Sequence, residues 1–344
     1  MALPRITSPH AKNSNRTQRV MLWVLAAALP GLFTLCYFYG IGPLLNLLFA
    51  SVFALAFEAT VLAIRQRPIR FFLSDGSALV TALLLALALP PYAPWWLVLV
   101  AVGFALLIGK HLFGGLGQNP FNPAMLGYVV VLVSFPIEMT TWPHSNSDWH
   151  SGLTYSLGLA PVIDGWSQAT ALDVLKTNQS LTIAELQQQS SAFGHWGGVA
   201  SEWVNLAFLV GGILLLAKNI IRWQAPIAML AALSLMSLVF WNGTGSASHG
   251  SPLFHLLTGA TMLGAFFIVT DPVSGATSNL GRLIFGAGVG ILLYIIRAWG
   301  SYPDALAFAV LLMNMCAPTI DYFTKPRTYG HTQAKRSFNT SGEQ

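Results

Sequence analysis

Long apolar stretches are the feature that most restricts the fold of this 344-residue chain. An α-helix rises about 1.5 Å per residue, so roughly 20 apolar residues cross a hydrocarbon core about 30 Å thick. Only 8% of the residues are charged, compared with about 25% in soluble globular domains. We therefore predict an all-α polytopic membrane protein with about ten transmembrane helices. The predicted spans are residues 20–39, 41–64, 77–91, 94–109, 122–136, 203–217, 225–241, 254–270, 283–299 and 304–323.

The Lys and Arg residues predict how these spans are oriented. Cytoplasmic loops carry an excess of Lys and Arg, and an even number of spans places both termini on one side. With that side in the cytoplasm, every Lys and Arg is cytoplasmic except Lys176 and Arg297. Arg297 falls near the outer end of its span, where it could snorkel or pair with Asp304. The segments predicted to be cytoplasmic are residues 1–19, 65–75, 110–121, 218–224, 271–282 and the C-terminal tail.

This topology divides the chain into four parts. The N-terminal half, residues 1–136, holds the first five spans, and the C-terminal half, residues 203–324, holds the last five. Between them lies a polar loop, residues 137–202, which we predict to be extracytoplasmic. Residues 325–344 are predicted to be a cytoplasmic tail.

Two stretches of the chain predict an internal repeat. Residues 77–132 and 259–314 share one order of features, in which three spans are separated by a Pro-containing break and a Pro-containing loop. Because each half holds an odd number of spans, a 5+5 repeat would be inverted across the membrane. Interrupted spans at matching positions then indicate a site near the midplane. The alternative is that the third and eighth spans are ordinary helices with short ends.

Several kinds of chemistry have no support in the sequence. Cys36 and Cys316 lie far apart in apolar segments, so we expect buried thiols and no metal or iron–sulfur cluster held by this chain alone. No basic run is interleaved with aromatic residues, so we expect no nucleic-acid partner. No nucleophile, base and orienting residue form a recognisable set, so no catalytic residue is predicted.

Two further features each allow two interpretations. Glu58 lies inside the second span, where a carboxylate costs about 2.5–3.5 kcal/mol on insertion scales. It is a candidate for a cation path, or else a hydrogen-bonded packing residue. The segment Gly114–Pro123, GGLGQNPFNP, lacks the Lys-Ser/Thr ending of a phosphate-binding loop. It predicts either a re-entrant or tight cytoplasmic connection packed against a partner or cofactor, or a plain loop.

The pattern D-x-x-S-x-A-T occurs twice, at Asp164–Thr170 and at Asp271–Thr277. Hydroxyl groups beside small residues are accessible and can be covalently modified. The ordinary interpretation is a turn or a helix cap, with Asp164 or Ser167 as the capping residue of a helix that begins near Ala169. Only the predicted topology separates the copies, because it places the first outside the membrane and the second in the cytoplasm.

Four segments of the chain resemble a known family, formed by the D subunits of Rnf electron-transport complexes (Rsx in some bacteria) and, more distantly, by the B subunits of sodium-pumping NADH:quinone oxidoreductases. They are residues 114–130, 164–177, 255–286 and 302–331. The resemblance implies a ten-span subunit of the bacterial inner membrane, built from inverted repeats. It also implies an FMN joined to a threonine by a phosphoester bond. A dedicated flavin transferase makes that bond outside the cytoplasmic membrane, at a D-x-x-S/T-x-A-T motif.

Carried onto this sequence, the resemblance implies that Thr170 holds the FMN and that Asp164, Ser167 and Ala169 complete the motif. Family members commonly have Pro after the threonine, whereas this chain has Ala171. Trp166 could flank the flavin ring. A second, non-covalent flavin (riboflavin) is also implied, and Asp271–Thr277 is a candidate for lining its site.

The implied function is electron relay between iron–sulfur and flavin subunits, coupled to Na⁺ or H⁺ translocation. The implied partners are the A, B, C, E and G subunits of the Rnf/Rsx complex, the flavin transferase and membrane lipid. Two other functions stay open: a solute channel or secondary transporter built from inverted repeats, and a membrane scaffold without a cofactor.

Overall fold

The computed structural model describes residues 17–144, 149–159, 165–178, 181–243, 245, 248–302 and 304–326. In these ranges the regular secondary structure is helical, and strand pairing is limited to isolated bridges. The helices of the described chain are α1 (Thr17–Tyr39), α2 (Gly42–Ile64), α3 (Ile69–Leu73), α4 (Ser77–Ala88), α5 (Trp95–His111), α6 (Pro123–Ser134), α7 (Pro136–Thr140), α8 (Trp149–Ser156), α9 (Ala171–Thr177), α10 (Ile183–Gln189), α11 (Val199–Ala217), α12 (Gln224–Val239), α13 (Pro252–Leu257), α14 (Thr261–Ile268), α15 (Asn279–Trp299) and α16 (Leu306–Thr324).

These helices confirm an all-α polytopic membrane protein. Among the described residues, five helices are long and apolar enough to cross a membrane: α1, α2, α11, α15 and α16. Helices α4, α5, α6 and α12 are apolar but shorter. Each predicted span except residues 254–270 overlaps one of these helices. Helix α5 continues as a π-helix over Phe104–His111, and this extends it into the region predicted to be a loop.

Residues 254–270 do not form the single helix that the sequence predicts. Helix α13 ends at Leu257, and α14 begins at Thr261 and continues as a π-helix from Gly264. Between them Gly259 has a φ of +59°, a conformation that side chains other than glycine's disfavour. A Cβ at this position would also overlap the carboxylate of Asp304. The chain therefore breaks because a polar group from a distant segment fills the space beside Gly259.

The two halves meet along α1 and α11, which pack closely. A Cβ on Gly31 would overlap the ring of Phe208, and a Cβ on Gly211 would overlap the carbonyl oxygen of Ala27. Small residues at these crossings let helix backbones approach one another, which is a common way to join helices in a membrane. We call this contact the glycine seam.

The contacts in the two halves follow the same order. Helix α2 packs on α4 and α5, and α12 packs on α13 and α15. The equivalent helices α6 and α16 also contact each other. This order supports an internal repeat, while its inversion across the membrane and the four-part division of the chain stay predictions.

Buried polar groups hold the beginning of α4. Lys110 Nζ donates to Glu58 Oε1 at 2.7 Å and to Ser77 Oγ at 2.9 Å, and His111 Nε2 lies 2.9 Å from Glu58 Oε2. All four residues are buried. Both carboxylate oxygens of Glu58 are therefore engaged, which supports the packing interpretation over the cation path. Lys110 and His111 belong to α5, whereas the sequence predicts a cytoplasmic loop there.

The cysteines differ from expectation. Cys316 is exposed on the surface of the chain and Cys36 is only half-buried. Because the outer faces of α1 and α16 are apolar surface in the isolated chain, their thiols lie where lipid or a partner subunit would cover them.

Candidate functional site

Short helices α7 to α10 form much of the segment predicted to be extracytoplasmic, residues 137–202. Helices α9 and α10 rest on α13 through a small apolar cluster. Its buried members are Ala171, Leu172, Leu186, Phe193 and Phe254. This cluster is separate from the main core and fixes α9 against the C-terminal half.

Lys176 ties the same helix to the end of α15. Its Nζ donates to the carbonyl oxygen of Tyr302 at 2.6 Å and to that of Ile296 at 3.3 Å. Cations favour the C-terminal end of a helix, where carbonyl groups lack partners. Burial lowers the pKa of Lys176, although the nearby carboxylate of Asp173 opposes that shift. The one Lys in the predicted outer loop therefore has a structural role.

Thr170 is the N-cap of α9. Its Oγ1 donates to Asp173 Oδ2 at 2.6 Å, and its backbone N–H donates to the same oxygen at 3.0 Å. The backbone N–H of Asp173 donates back to Thr170 Oγ1 at 3.3 Å. This is a capping box. The prediction that Asp164 or Ser167 caps this helix is wrong, because the helix begins at Ala171. The spacing T-x-x-D would have identified both Thr170 and Asp173 from the sequence.

The other motif residues take no part in this cap. Asp164 lies outside the described residues. Ser167 and Ala169 are exposed, and Ser167 forms an isolated antiparallel bridge with Pro143. Trp166 is buried, with its ring 5.8 Å from Tyr155 and 5.8 Å from Tyr92. It is not among the residues that line the cleft beside Thr170. The prediction that Trp166 flanks a ligand at this cleft is therefore not supported.

Thr170 is half-buried at the edge of a cleft between the two halves. The cavity volume of the cleft is about 220 Å³. Its walls are mainly apolar and come from both halves, so neither half forms it alone. Lining residues include Tyr39 of α1, Leu87 of α4, Tyr128 of α6, Phe208 of α11 and Leu263 of α14. A mostly apolar cleft with a few polar groups is the usual form of a cofactor site.

An ion pair adjoins the cleft. Arg297 Nη2 donates to Asp304 Oδ1 at 3.1 Å, and the backbone N–H of Ala260 donates to Asp304 Oδ2 at 2.8 Å. Arg297 also donates to the carbonyl oxygen of His255 at 3.0 Å and to Thr261 Oγ1 at 3.0 Å. Asp304 lines the cleft, and Arg297 faces a second, polar cavity behind α9. The predicted pairing of Arg297 with Asp304 is confirmed.

The second D-x-x-S-x-A-T copy has a different local structure. Asp271 Oδ2 accepts a hydrogen bond from Ser274 Oγ at 2.6 Å, within the turn that precedes α15. Thr277 is exposed and is not a cap, because Ser278 caps α15 through the backbone N–H of Gly281 at 2.8 Å. The backbone N–H of Thr277 donates to Asp321 Oδ1 at 2.9 Å. Neither Asp271 nor Thr277 lines the cleft beside Thr170.

The Gly-rich segment lies close to this second copy. Its last residues form a helix start, in which Asn122 Oδ1 accepts from the backbone N–H of Met125 at 3.2 Å. The side-chain amide of Asn314 bridges the two segments. Its oxygen accepts from the backbone N–H of Asn122 at 2.9 Å, and its nitrogen donates to the carbonyl oxygen of Ser274 at 3.2 Å. Asn119 Oδ1 is buried and has no hydrogen-bond partner among the described residues. The end of the segment at Asn122 therefore packs against the C-terminal half, whereas residues 116–118 are exposed.

Comparison with known proteins gives consistent matches along the chain. Residues 5–330 match the NQR2, RnfD, RnfE family. The D subunit of an ion-translocating oxidoreductase complex from Ectopseudomonas mendocina is 69% identical over 339 residues, which cover 98% of this chain and 99% of the relative. The protein of the same description from Pseudomonas aeruginosa strain LESB58 is 68% identical over 340 residues, with the same coverage. That from Cellvibrio japonicus is 53% identical over 351 residues, covering 99% of each chain.

Proposed function

This chain belongs to the NQR2, RnfD, RnfE family, and on that basis we propose that it is a membrane subunit of an ion-translocating oxidoreductase complex that carries FMN covalently on Thr170. Relatives up to 69% identical over nearly their whole length are described as the D subunit of such a complex. The observation that carries the flavin proposal is the position of Thr170. Its hydroxyl lies on a fixed helix start at the edge of a mainly apolar cleft between the halves.

The residues of the cleft fit a flavin of this kind. Tyr128 and Phe208 line the same cleft as Thr170 and would hold the ring system of an FMN attached there. When bound, FMN supplies one- and two-electron chemistry, while the protein supplies position and electrostatics. Here the apolar cluster under α9 fixes the attachment point. The ion pair of Arg297 and Asp304 limits the net charge at the wall of the cleft.

The wider role of the chain follows from the same proposal. We propose that it relays electrons between iron–sulfur and flavin subunits and that the complex couples this to Na⁺ or H⁺ movement. The A, B, C, E and G subunits of the complex would be its partners. The Thr170 segment would face the periplasm, where a flavin transferase can reach it, and both termini would be cytoplasmic.

A second, non-covalent flavin such as riboflavin is part of the proposal, and one structural observation supports it. The buried, unpaired oxygen of Asn119 offers an acceptor near the second D-x-x-S-x-A-T copy. Asp271 and Ser274 bind each other there and leave little capacity for a ligand.

In-gel fluorescence tests the covalent attachment. The full-length chain is produced with its transferase, purified, denatured and viewed under ultraviolet light. We expect fluorescence in the wild type and in Thr277→Val, and none in Thr170→Val. A wild-type chain without covalent flavin would contradict the proposal. A label that moves to Thr277 would also overturn the predicted topology.

A transporter function is the second candidate, because transporters with inverted repeats bind solutes between their halves and the cleft lies there. It would gain support if the wild-type chain carried no flavin and the cleft bound a solute in purified protein.

A further inference from the structure

We propose that Asp173 acts as the general base when the flavin phosphate is attached to Thr170. This inference rests on the proposed function. The Thr170 hydroxyl already points its proton at the carboxylate, with Oγ1 2.6 Å from Asp173 Oδ2. A general base must lie within about 2.6–3.2 Å of the proton it removes, and this geometry is present before any donor binds.

The Thr170 hydroxyl has a free lone pair with which to attack phosphorus. A threonine hydroxyl has one O–H and two lone pairs. The O–H of Thr170 is directed to Asp173 Oδ2, and one lone pair accepts the backbone N–H of Asp173. The second lone pair is free to attack phosphorus. Thr170 is half-buried beside the exposed Ala169, and both line the cleft, where the transferase would present the donor.

The donor must carry an activated phosphate. Direct esterification of FMN would have to expel water in an aqueous compartment, which is unfavourable, so a flavin dinucleotide with a phosphoanhydride bond is the reasonable donor. Thr170 Oγ1 forms a bond to the flavin-side phosphorus, and the phosphoanhydride bond breaks. Adenosine monophosphate leaves with the bond electrons, and the hydroxyl proton passes to Asp173 Oδ2. No electron is gained or lost by either partner.

Two other threonines of the chain show which feature is specific to Thr170. Thr277, in the second D-x-x-S-x-A-T copy, has Leu280 three residues later and is not a cap. Thr182 has the same cap as Thr170, because its Oγ1 donates to Glu185 Oε2 at 2.8 Å. However, Thr182 has no motif before it and does not line the cleft. Thr170 alone among the three combines the motif, the carboxylate and the cleft.

Charged groups lie on Asp173's own helix and on the elements packed against it. Lys176 is the cation on its own helix, and its pKa responds to the Asp173 carboxylate. Helix α9 packs on α10, α13 and α15, which carry Glu185, His255 and Arg297, and the last two line the cavity behind α9. Asp304 lines the same cleft, but its two oxygens are bound by Arg297 and Ala260. Asp173 is therefore the carboxylate directed at the Thr170 hydroxyl.

The test measures the rate of attachment in the full-length chain. Protein purified from cells without the transferase is incubated with purified transferase and flavin adenine dinucleotide. The initial rate of covalent labelling is followed by fluorescence of the denatured band. Asp173→Asn keeps an oxygen that can accept from both groups of Thr170, so the cap and the fold should persist. Glu185→Gln makes the same change in the matched cap of α10.

We expect Asp173→Asn to lower the labelling rate by about 100-fold near neutral pH, the lower end of a general-base contribution. The ratio of wild-type to variant rates should fall as pH rises, because hydroxide replaces the carboxylate. Glu185→Gln should label at the wild-type rate, and Asp173→Glu should recover part of the rate by restoring a carboxylate. This recovery would separate loss of the base from a folding defect.

Three results would overturn the inference. Labelling of Asp173→Asn at the wild-type rate would show that no base acts here, while the proposed function would stand. A slow Asp173→Asn whose rate ratio does not change with pH would assign Asp173 a purely structural role. A wild-type chain that is never labelled would remove the proposed function and this inference together.

Discussion

Arg297, at the end of α15, lies 3.1 Å from Asp304, just before α16, and both contact the break between α13 and α14. The guanidinium side chain is 1% exposed and the carboxylate 25% exposed. This pair joins three segments that the sequence separates.

We expect Arg297→Gln to destabilise the chain by about 3 kcal/mol, the lower end for a broken buried pair, because Asp304 is partly exposed and keeps its hydrogen bond from Ala260. The thermal denaturation midpoint of the purified protein in detergent measures this loss. Arg222→Gln is the matched control, since Arg222 is exposed. Equal midpoints for the two variants would contradict the structural role of Arg297.

The buried cluster at the start of α4 should behave as a coupled unit. Glu58→Gln and Lys110→Met each leave part of the cluster unpaired, so each should lower the denaturation midpoint. The double variant should lose less than the sum of the two, because residues in one hydrogen-bonded network are not independent. A double-mutant cycle of thermal midpoints checks this. Strict additivity would indicate that Glu58 and Lys110 do not interact.

The glycine seam should be sensitive to a single methyl group. Gly211→Ala adds a Cβ that would overlap the carbonyl oxygen of Ala27, and overpacking of this kind costs about 1–3 kcal/mol. Gly103→Ala is the control, because its Cβ would meet the Phe57 ring at 3.6 Å, an ordinary contact distance. We expect a lower midpoint for Gly211→Ala only. If Gly103→Ala were the more damaging change, the seam would not be the close contact described.

The cap of α10 should weaken in acid. Hydrogen bonds from the backbone and hydroxyl of Thr182 lower the pKa of Glu185 below its ordinary value of 4.5. A carboxylate with a lowered pKa in the folded state stabilises that state above its unfolded pKa, and this contribution is lost as pH falls through the folded pKa. Hydrogen-exchange protection of α10 should therefore fall below about pH 4.5 in the wild type. In Glu185→Gln it should be lower at neutral pH and change little in this range.

Nine of the ten predicted spans overlap an apolar helix in the described chain, because each of these nine is a continuous apolar run. It also indicated that Arg297 and Asp304 pair, since two opposite charges near one end of adjacent spans need partners. The break at residues 258–260 was not predictable, because it depends on a carboxylate 44 residues away from the Ala260 N–H that it binds. Glu58 and Lys110 are likewise 52 residues apart, so their contact appears only in the folded chain.

The candidate site was predictable only in part. The motif and the predicted topology together singled out Thr170. The spacing T-x-x-D after it marks a capping box, and that signal was available from the sequence. The cleft could not be predicted from the sequence, because its walls come from both halves and from short helices that carry no strong apolar pattern. That Trp166 flanks the flavin ring stays a prediction, and in the described chain its buried ring packs with Tyr92 and Tyr155.

The glycine seam also bears on how the protein can move. Alternating access in transporters with repeated halves requires one half to rock against the other. Helices α1 and α11 instead meet with Phe208 filling the place of a side chain at Gly31, and with the Ala27 backbone at Gly211. Such a close contact leaves little space for a second arrangement of the two helices, so we expect the halves to stay fixed. A cofactor held by a covalent bond needs no closing motion to retain it, and electrons can pass through a protein whose halves do not move.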